Sequence, residues 1–228
     1  MLLSQVTIGT TDVEALERFH RDVLLLPVQR VSATAIDVEV GSGTVRYEQR
    51  PQFSGAHHMA FSVAPEDFDK AHGFLDERVE ILTSGDSPVI YAEGLGGRSV
   101  YFNAPDGLIL EYIAYESHRG GGSSEGPPAL TGISEVGIGV EDVSATVDEL
   151  TSLGIPLIQP QGAVFSTVGN IDSRLVIVDQ ERLWFPEMRE RPATDISTIC
   201  LTVEGATTGR KSLERAELLI SSLYGKSL

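Results

Sequence analysis

The sequence is short of cysteine, of basic residues and of long apolar runs. It contains a single cysteine, Cys200, among 228 residues, and a lone cysteine excludes an internal disulfide framework. No apolar run approaches the roughly 20 residues that a helix needs to span a bilayer. The first residues, MLLSQVTIGTTD, lack the basic region and the cleavage site of a secretory signal. These absences predict a cytoplasmic protein.

Acidic residues outnumber basic ones in this chain. Lysine and arginine number 17 against 33 acidic residues, which gives a net charge of −16. Such a surface repels phosphate backbones and anionic lipids. The charge therefore predicts that neither nucleic acid nor a membrane is a partner, although it does not name a substrate.

A segment rich in glycine, serine and proline divides the chain. Residues 119–129 read RGGGSSEGPPA, in which glycine and serine give flexibility and the prolines stiffen the exit. We interpret this segment as a linker between an N-terminal domain, residues 1–118, and a C-terminal domain, residues 130–228. Each part is near the small end of the usual domain size.

The N-terminal part contains the same order of elements twice. A strand-like run at residues 2–9 precedes a helical pattern in which Thr11 and Glu14 have the spacing of a capping box. Strand-like segments follow, and the cycle restarts with HHMAFSV at residues 57–63. The second cycle ends with VYFN and LILEYIAY, which the turn sequence at residues 104–107 joins. The order is β-α-β-β-β in both cycles.

The C-terminal part begins with the same pattern and then loses it. ISEVGIGVEDVSATVDELTSLGIP predicts a strand followed by a helix, and three strand-like segments complete a third module. DISTICLTVEG begins like a fourth module, but the tail SLERAELLISSLYGKSL has a helical pattern. We therefore expect three complete modules, a partial fourth and a C-terminal helix.

Strand alternation places one polar, ligand-capable side chain on a shared face of three strands. In HHMAFSV, His58 lies opposite the apolar Met59 and Phe61. By the same rule, Gln5 in the first strand and Glu111 in LILEYIAY lie on faces opposite their apolar neighbours. Each strand thus offers an apolar face to the helices and a polar face that suits the floor of a cavity.

Three segments of the N-terminal part resemble the vicinal oxygen chelate superfamily, which includes glyoxalases, extradiol dioxygenases and bleomycin-resistance proteins. They are LSQVTIGTTDVEALERFHRDVLLLPV, AHHMAFSV and VYFNAPDGLILEYI. The likeness covers residues 2–116 well and continues more loosely to about residue 179. It departs from the family pattern at His20 and Leu25, where an aromatic residue and a glycine are usual. The resemblance implies an α+β fold of two domains, with repeated βαβββ modules paired into cupped mixed sheets. We expect the two modules of residues 2–116 to meet as one cup.

The resemblance also implies a divalent metal ion (Fe, Mn, Ni or Zn) inside the cup. Its residue-by-residue counterparts are Gln5, His58 and Glu111 as metal ligands, with Glu48 as the nearest candidate on the last strand of the first module. Glu111 and Glu48 are the candidate catalytic carboxylates. Imidazole and carboxylate groups are good ligands for these metals, and a bound metal acts as a Lewis acid on adjacent substrate oxygens.

In the third module, Glu135 stands at the position that corresponds to Gln5, the first of the predicted ligands. No histidine follows His118 in the chain. We therefore expect residues 131–203 to adopt a related arrangement without a metal. The segment Trp184-Phe185-Pro186 is either a loop anchored by its aromatic rings or a lid over the pocket, and anchoring is the favoured interpretation.

Three functions fit the resemblance. The first is a metal-dependent enzyme acting on a small vicinal-dioxygen substrate, either a 2-oxoaldehyde adduct or a catechol. The second is a metal-free protein that sequesters a small molecule in the same cavity, and the third is a degenerate scaffold. The family's modules pair within one chain or between chains, so a homodimer is also consistent with the sequence.

Overall fold

One arrangement of strands and helix recurs along the chain. The computed structural model describes residues 1–92, 96–117, 126–160 and 162–223. Module one comprises β1 (Leu2–Thr10), α1 (Val13–Arg18, continued by a π-helical turn, Phe19–Val23), β2 (Val28–Ser32), β3 (Ala35–Val40) and β4 (Gly43–Gln49). Module two comprises β5 (His58–Val63), α2 (Phe68–Asp76), β6 (Ile81–Leu82), β7 (Ile90–Ala92), β8 (Gly97–Asn103) and β9 (Ile109–Tyr115). Short 3-10 turns, Pro65–Asp67 and Pro105–Gly107, precede α2 and β9.

The second half of the chain repeats this arrangement, but its last module, which is fully described, lacks the helix and one strand. Module three comprises β10 (Leu130–Val140), α3 (Val143–Ser152), β11 (Leu157–Pro160), β12 (Phe165–Gly169) and β13 (Arg174–Asp179). Module four comprises β14 (Ser197–Val203), β15 (Gly209–Ser212) and β16 (Ala216–Ser222), and within its fully described residues 197–222 no helix follows the first strand. In every module the first strand lies parallel to the last. The α+β class and the repeated modules are as the sequence predicts.

The modules pair in an order that the sequence did not indicate. β5 pairs antiparallel with β10, which joins modules two and three into what we call the inner cup. β1 pairs antiparallel with β14, which joins modules one and four into the outer cup. Among the described strands, β1 and β10 join the sheets of the two cups through a single register pair, Leu3 and Ile133. The expectation that modules one and two share a cup is therefore wrong, because the first strands of all modules carry similar patterns and local sequence does not select their partners.

The predicted C-terminal helix is also wrong, because residues 216–222 form strand β16. Ala216, Leu218 and Ile220 are buried and alternate with more exposed residues, which is strand periodicity. Their register partners on β14 include Ser197 and Ile199. A parallel partner that is distant in sequence thus decides the conformation of this segment.

The predicted linker, residues 119–129, lies mostly outside the described residues. Of its length the structure describes residues 126–129, which lead directly into β10. The domain boundaries at residues 118 and 130 stay predictions. In the described part of the chain, no helix is both long and apolar enough to cross a membrane.

An aspartate side chain caps the first turn of two of the helices, α1 and α3. The Asp12 carboxylate accepts a hydrogen bond from the Ala15 amide at 2.9 Å, and the Asp142 carboxylate does the same for Ala145 at 2.9 Å. Each carboxylate satisfies an amide that has no partner within its helix. The capping box expected from Thr11 is therefore not the cap.

Thr11 instead connects module one to the turn between β8 and β9. Its amide and its hydroxyl donate hydrogen bonds to the Asp106 carboxylate at 2.5 and 2.6 Å. Asp106 has a φ of +65° within that turn, a conformation that Asp adopts more readily than most residues. The contact ties the two cups together at one end.

The two faces of each sheet have different surroundings. The faces turned toward the helices form one apolar core, in which Phe61 and Leu110 are fully buried. The concave face of the inner cup is also buried and carries a small apolar group around Trp184 and Val176. The concave face of the outer cup, represented by Cys200, is only half-buried. The inner cup is therefore the enclosed one.

The loop after β13 covers the inner cup, and we call residues 180–196 the strap. The Trp184 indole donates a hydrogen bond to the Ala56 carbonyl at 2.8 Å. Gly137 on β10 makes room for the indole, because a Cβ there would lie 2.4 Å from the ring. Gly139, two residues on, similarly leaves space for Pro192, 2.5 Å from its would-be Cβ. The strap fits closely because both positions lack side chains.

The end of the strap is held by charge. The Gly9 amide donates a hydrogen bond to Asp195 at 2.6 Å, and His57 Nε2 and Arg50 Nε lie 3.6 and 3.5 Å from its carboxylate oxygens. Burial alone would raise the pKa of Asp195, but His57, Gly9 and Arg50 together hold that pKa below its usual value. Asp195 thus stabilises the fold as a carboxylate.

Replacing Gly137 with alanine should displace Trp184. Overpacking of this kind costs about 1–3 kcal/mol, and the emission of the chain's single tryptophan should move to longer wavelength. Denaturant unfolding followed by tryptophan emission measures both effects. As a control, Gly73→Ala adds a Cβ on α2 with nothing within 4 Å and should leave stability unchanged or raised by up to about 1 kcal/mol. Unchanged emission and stability in Gly137→Ala would contradict the packing described.

The Asp195→Ala substitution should destabilise the protein in a pH-dependent way. A carboxylate with a lowered folded pKa contributes stability above its unfolded pKa and loses it as pH falls through the folded pKa. The variant should be about 1.5–3 kcal/mol less stable at pH 7, and the difference should shrink as pH falls below about 4. Asp69→Ala, at a position 91% exposed, is the control and should have little effect. A deficit that is constant with pH would argue against the ionic role.

Candidate functional site

The inner cup brings two glutamates to either side of one small residue. Ala60 on β5 is the register partner of Glu111 on β9 and of Glu135 on β10. Ala60 is fully buried, and its methyl group leaves the space above it free. Two carboxylates from different modules therefore converge over Ala60, and His58 lies two residues away on the same face of β5.

His58, Glu111 and Glu135 form one cluster. One ligand-capable atom of each lies within 4.8 Å of those of the other two. His58 Nε2 and Glu111 Oε2 are 3.5 Å apart, and both residues are buried. Burial lowers the pKa of His58 to about 4, and the positive charge of Arg182 acts in the same direction. The imidazole is therefore neutral at neutral pH, the form that binds a metal or accepts a proton.

Glu111 is oriented by hydroxyl groups of the neighbouring strand. Ser99 and Tyr101 on β8 hydrogen-bond to its carboxyl group, and Tyr101 is its register partner. Its Oε2 atom has no hydrogen-bond partner among the described residues. Burial, and after it the negative charge of Glu135, raise the pKa of Glu111 to about 8. One oxygen of this carboxyl group is thus left facing His58.

Glu135 has a positive neighbour of its own. Arg174, its register partner on β13, places Nε 3.3 Å from Glu135 Oε1, and the Tyr115 hydroxyl donates to the same oxygen at 3.1 Å. Burial raises the pKa of Glu135 while the Arg174 charge opposes that shift. Arg174 is 1% exposed, and its guanidinium lies 4.7 Å from the Tyr115 ring centroid.

The cluster opens on one side into a cavity of about 200 Å³. In module two Glu111 lies two residues beyond Ile109, the register partner of His58. The equivalent position in module three is Val176, two residues beyond Arg174. This apolar residue lines the cavity. The full lining is His58, Tyr101, Glu135, Phe165, Val176, Arg182, Trp184 and Phe185.

The Trp184-Phe185 segment is both anchored and part of the cavity wall. The Trp184 ring centroid is 5.2 Å from that of His58, and the Phe185 ring lies edge-on to Tyr101 at 5.7 Å. The hydrogen bond from the buried Trp184 fixes this wall to the chain preceding β5. The favoured interpretation of the segment as an anchored loop fits these contacts, and the loop also encloses the site.

Two of the predicted site residues lie elsewhere. Gln5 on β1 has Thr44 and Cys200 as register partners, in the outer cup. Glu48 on β4 forms an ion pair with Arg50 at 3.0 Å. Neither belongs to the cluster over Ala60, since β10 lies between β1 and β5. The predicted roles of Gln5 as a ligand and of Glu48 as a catalytic group stay predictions.

Two members of the cluster, His58 and Glu111, are candidates that the sequence predicts, whereas the third belongs to module three, for which it predicts no metal. Glu135 was visible as the residue matching the first-ligand position. The lack of histidine beyond His118 was a misleading signal, because module three contributes a carboxylate to a histidine of module two. Nothing local in the sequence marked Arg174 or Tyr115 as neighbours of Glu135.

Comparison with known proteins supports the fold. No protein-family model and no curated protein sequence matches the chain. A solved structure of a candidate dioxygenase from Bacillus subtilis matches 97% of this chain and 85% of its own with a TM-score of 0.64 at 14% identity.

Shorter structures match about half of the chain. A glyoxalase/bleomycin resistance protein/dioxygenase from Nocardioides covers 54% of this chain and 90% of its own, with 20% identity and a TM-score of 0.40. Lactoylglutathione lyase from Agrobacterium tumefaciens covers 49% and 92%, with 16% identity and a TM-score of 0.42. The chain contains four repeated modules, and it matches the Bacillus subtilis structure along nearly its whole length. This protein therefore has the fold of the vicinal oxygen chelate superfamily.

Proposed function

We propose that the protein is a divalent-metal-dependent enzyme of the glyoxalase and extradiol dioxygenase type, acting on a small vicinal-dioxygen substrate. The observation that carries this proposal is the cluster of His58, Glu111 and Glu135, of which His58 and Glu135 line a cavity. A catechol or a 2-oxoaldehyde adduct is the substrate class in view. The metal is Fe, Mn, Ni or Zn.

The spacing of the three groups supports metal binding. Ligand atoms bind such metals at about 2.0–2.2 Å, so two of them on opposite sides of one ion are about 4.4 Å apart. The atoms of His58, Glu111 and Glu135 lie within 4.8 Å of one another, and side-chain rotations of a few tenths of an ångström bring them into range. One imidazole and two carboxylates suit a borderline or hard divalent cation.

The electrostatics of the cluster also support a cation. Glu111 is a buried carboxyl group beside a second carboxyl group, and its pKa is raised first by burial and then by the negative charge of Glu135, which Arg174 offsets only in part. Its Oε2 atom lacks a hydrogen bond among the described residues. A cation at this point removes the repulsion between Glu111 and Glu135 and gives that oxygen a partner.

The side of the cluster without a protein ligand is the side on which a substrate would lie. Val176 stands where a fourth carboxylate would complete the set, and it borders the cavity together with His58 and Glu135. A bound cation supplies Lewis acidity, which stabilises negative charge on two adjacent substrate oxygens. Trp184 and Phe165 give the cavity an apolar wall beside that contact.

The remaining groups position the reacting carboxyl. Ser99 and Tyr101 hold Glu111 by hydrogen bonds, which fixes its free oxygen toward His58 and the cavity. An oxygen of this carboxyl group that is not bound to the metal can take up or return a proton at a substrate carbon, which is the work of a general base. Glu111 is thus both a metal ligand and the candidate catalytic carboxylate of the inner cup.

A metal-free binding protein is the second candidate function. Arg174 already neutralises Glu135 at 3.3 Å, so half of the acidic charge in the cluster has an internal partner. A pocket that holds its ligand by hydrogen bonds alone would be built in this way.

Three further expectations stay predictions: a cytoplasmic location, the absence of nucleic acid and membrane partners, and a homodimer.

Metal binding should depend on the cluster and not on its neighbour. Removing one of three ligands weakens binding by about 100-fold or more, since loss of even an outer hydrogen-bond partner costs 10- to 100-fold. His58→Gln, Glu111→Gln and Glu135→Gln should each show this loss when Mn²⁺, Fe²⁺, Ni²⁺ and Zn²⁺ are titrated under anaerobic conditions. His57→Gln is the matched control, because His57 lies outside the cluster beside Asp195, and it should bind as the unaltered protein does.

Equal binding by the His57 and His58 variants would refute the metal site. Circular dichroism and thermal unfolding distinguish a lost ligand from a lost fold, since either histidine is buried.

Enzymatic turnover should require the bound metal. Catechols, assayed by oxygen uptake, and 2-oxoaldehyde–thiol adducts, assayed by loss of the adduct, are the substrates to screen. Activity should disappear on chelation, return on addition of the bound metal, and be absent from His58→Gln, which loses the only imidazole of the cluster. Turnover that survives both chelation and His58→Gln would exclude the mechanism, and a protein that binds ligands without metal or turnover would favour the binding function.

A further inference from the structure

Arg182 lies in the wall of the inner-cup cavity and is not used by the cluster beneath it. It lines the cavity together with His58 and Tyr101, and it is half-buried. Its guanidinium lies 5.0 Å from the centroid of the Phe165 ring. Arg182 is close enough to His58 for the positive charge of the guanidinium to lower the pKa of that imidazole. Arg182 therefore faces the space that a ligand would occupy.

This arginine has no acidic partner among the described residues. The only hydrogen bond of its side chain there is a weak one, from Nη1 to the Leu183 carbonyl at 3.4 Å. Its neighbours on the chain, Arg189 and Arg191, each form an ion pair, at 3.0 and 2.9 Å, with Glu187 and Glu181. In a chain with 33 acidic and 17 basic residues, a half-buried arginine without a carboxylate partner needs another reason for its position.

The rest of the cavity wall is largely aromatic. Phe165, Trp184 and Phe185 surround the space on the side of the strap, and Tyr101 closes it on the side of β8. Flat aromatic walls suit a flat ring, which packs against them face-on or edge-on. A guanidinium at the rim offers paired N–H donors that match the two oxygens of a carboxylate.

We propose that Arg182 is a specificity-determining residue that binds a carboxylate on an aromatic ring substrate. The ring lies between the aromatic walls, the carboxylate contacts Arg182, and the opposite edge of the ring is directed at His58. The inference deepens the proposed function, on which it rests for the identity of the cavity as the substrate site. It narrows the substrate class to ring compounds that carry an acidic group as well as the vicinal oxygens.

The single tryptophan makes the test direct. Trp184 lines the cavity and is the only tryptophan in the chain, so its emission reports occupancy. Benzoate and benzamide have nearly the same shape and differ in charge, and titration of each in the presence of a chelator measures binding without a metal. Benzoate should bind about tenfold more tightly than benzamide, the gain expected of one charge-assisted contact over a neutral one.

The substitution Arg182→Gln should abolish this preference by weakening benzoate binding while leaving benzamide unchanged. Arg191→Gln is the matched control: its side chain is 61% exposed and pairs with Glu181, and it should keep the preference. Thermal unfolding of both variants checks that the fold is retained, and calorimetric titration checks the binding constants independently of the Trp184 signal.

Three results would overturn the inference: no binding of benzoate, equal binding of the two compounds by the unaltered protein, or a preference that survives Arg182→Gln. The outcome is separable from that of the proposed function. A preference lost in Arg182→Gln in a protein that binds no metal leaves the anion site standing and removes the metal enzyme. If the protein binds metal and turns over substrate but shows no preference for benzoate, the proposed function stands and the anion site at Arg182 is refuted.

Discussion

The antiparallel pairing of β5 with β10 is the constraint on which the site depends. It sets Glu135 against Ala60 from one side, while the parallel partner β9 sets Glu111 against Ala60 from the other. Two carboxyl groups held together in a buried cup repel each other and lack hydration. The surrounding residues offset this cost: Arg174 and Tyr115 stabilise Glu135, and two hydroxyl groups hold Glu111.

The elements of the fold and two of the three cluster residues could be predicted from the sequence. Strand alternation alone puts His58 and Glu111 on the concave face, because their neighbours Met59 and Leu110 belong to the core. The pairing of modules could not be predicted in this way. It depends on contacts between strands far apart in the chain, and the four first strands have patterns too similar to choose between partners.

The errors share that origin. Residues 216–222 read as helix when taken alone, but β14 supplies a parallel partner and the segment becomes an inner strand. Glu135 belongs to module three, for which the sequence predicts no metal, and only the pairing of β5 with β10 brings it beside His58 and Glu111. Gln5 lies in the outer cup because modules one and two do not pair, and its role as a ligand stays a prediction. Once the pairing is known, the concave faces of both cups follow from alternation.

The pairing of module two with module three, and of module one with module four, also sets the order in which the protein can fold. Modules two and three are neighbours in sequence, so the inner cup needs only the chain from β5 to β13. The outer cup joins β1 to β14, and the Gly9–Asp195 contact spans 186 residues. Synthesis from the N-terminus therefore makes module one first and leaves its edge without a partner until module four has emerged. Closing so long a loop is slow, which makes β1 the strand most exposed to wrong partners in the nascent chain.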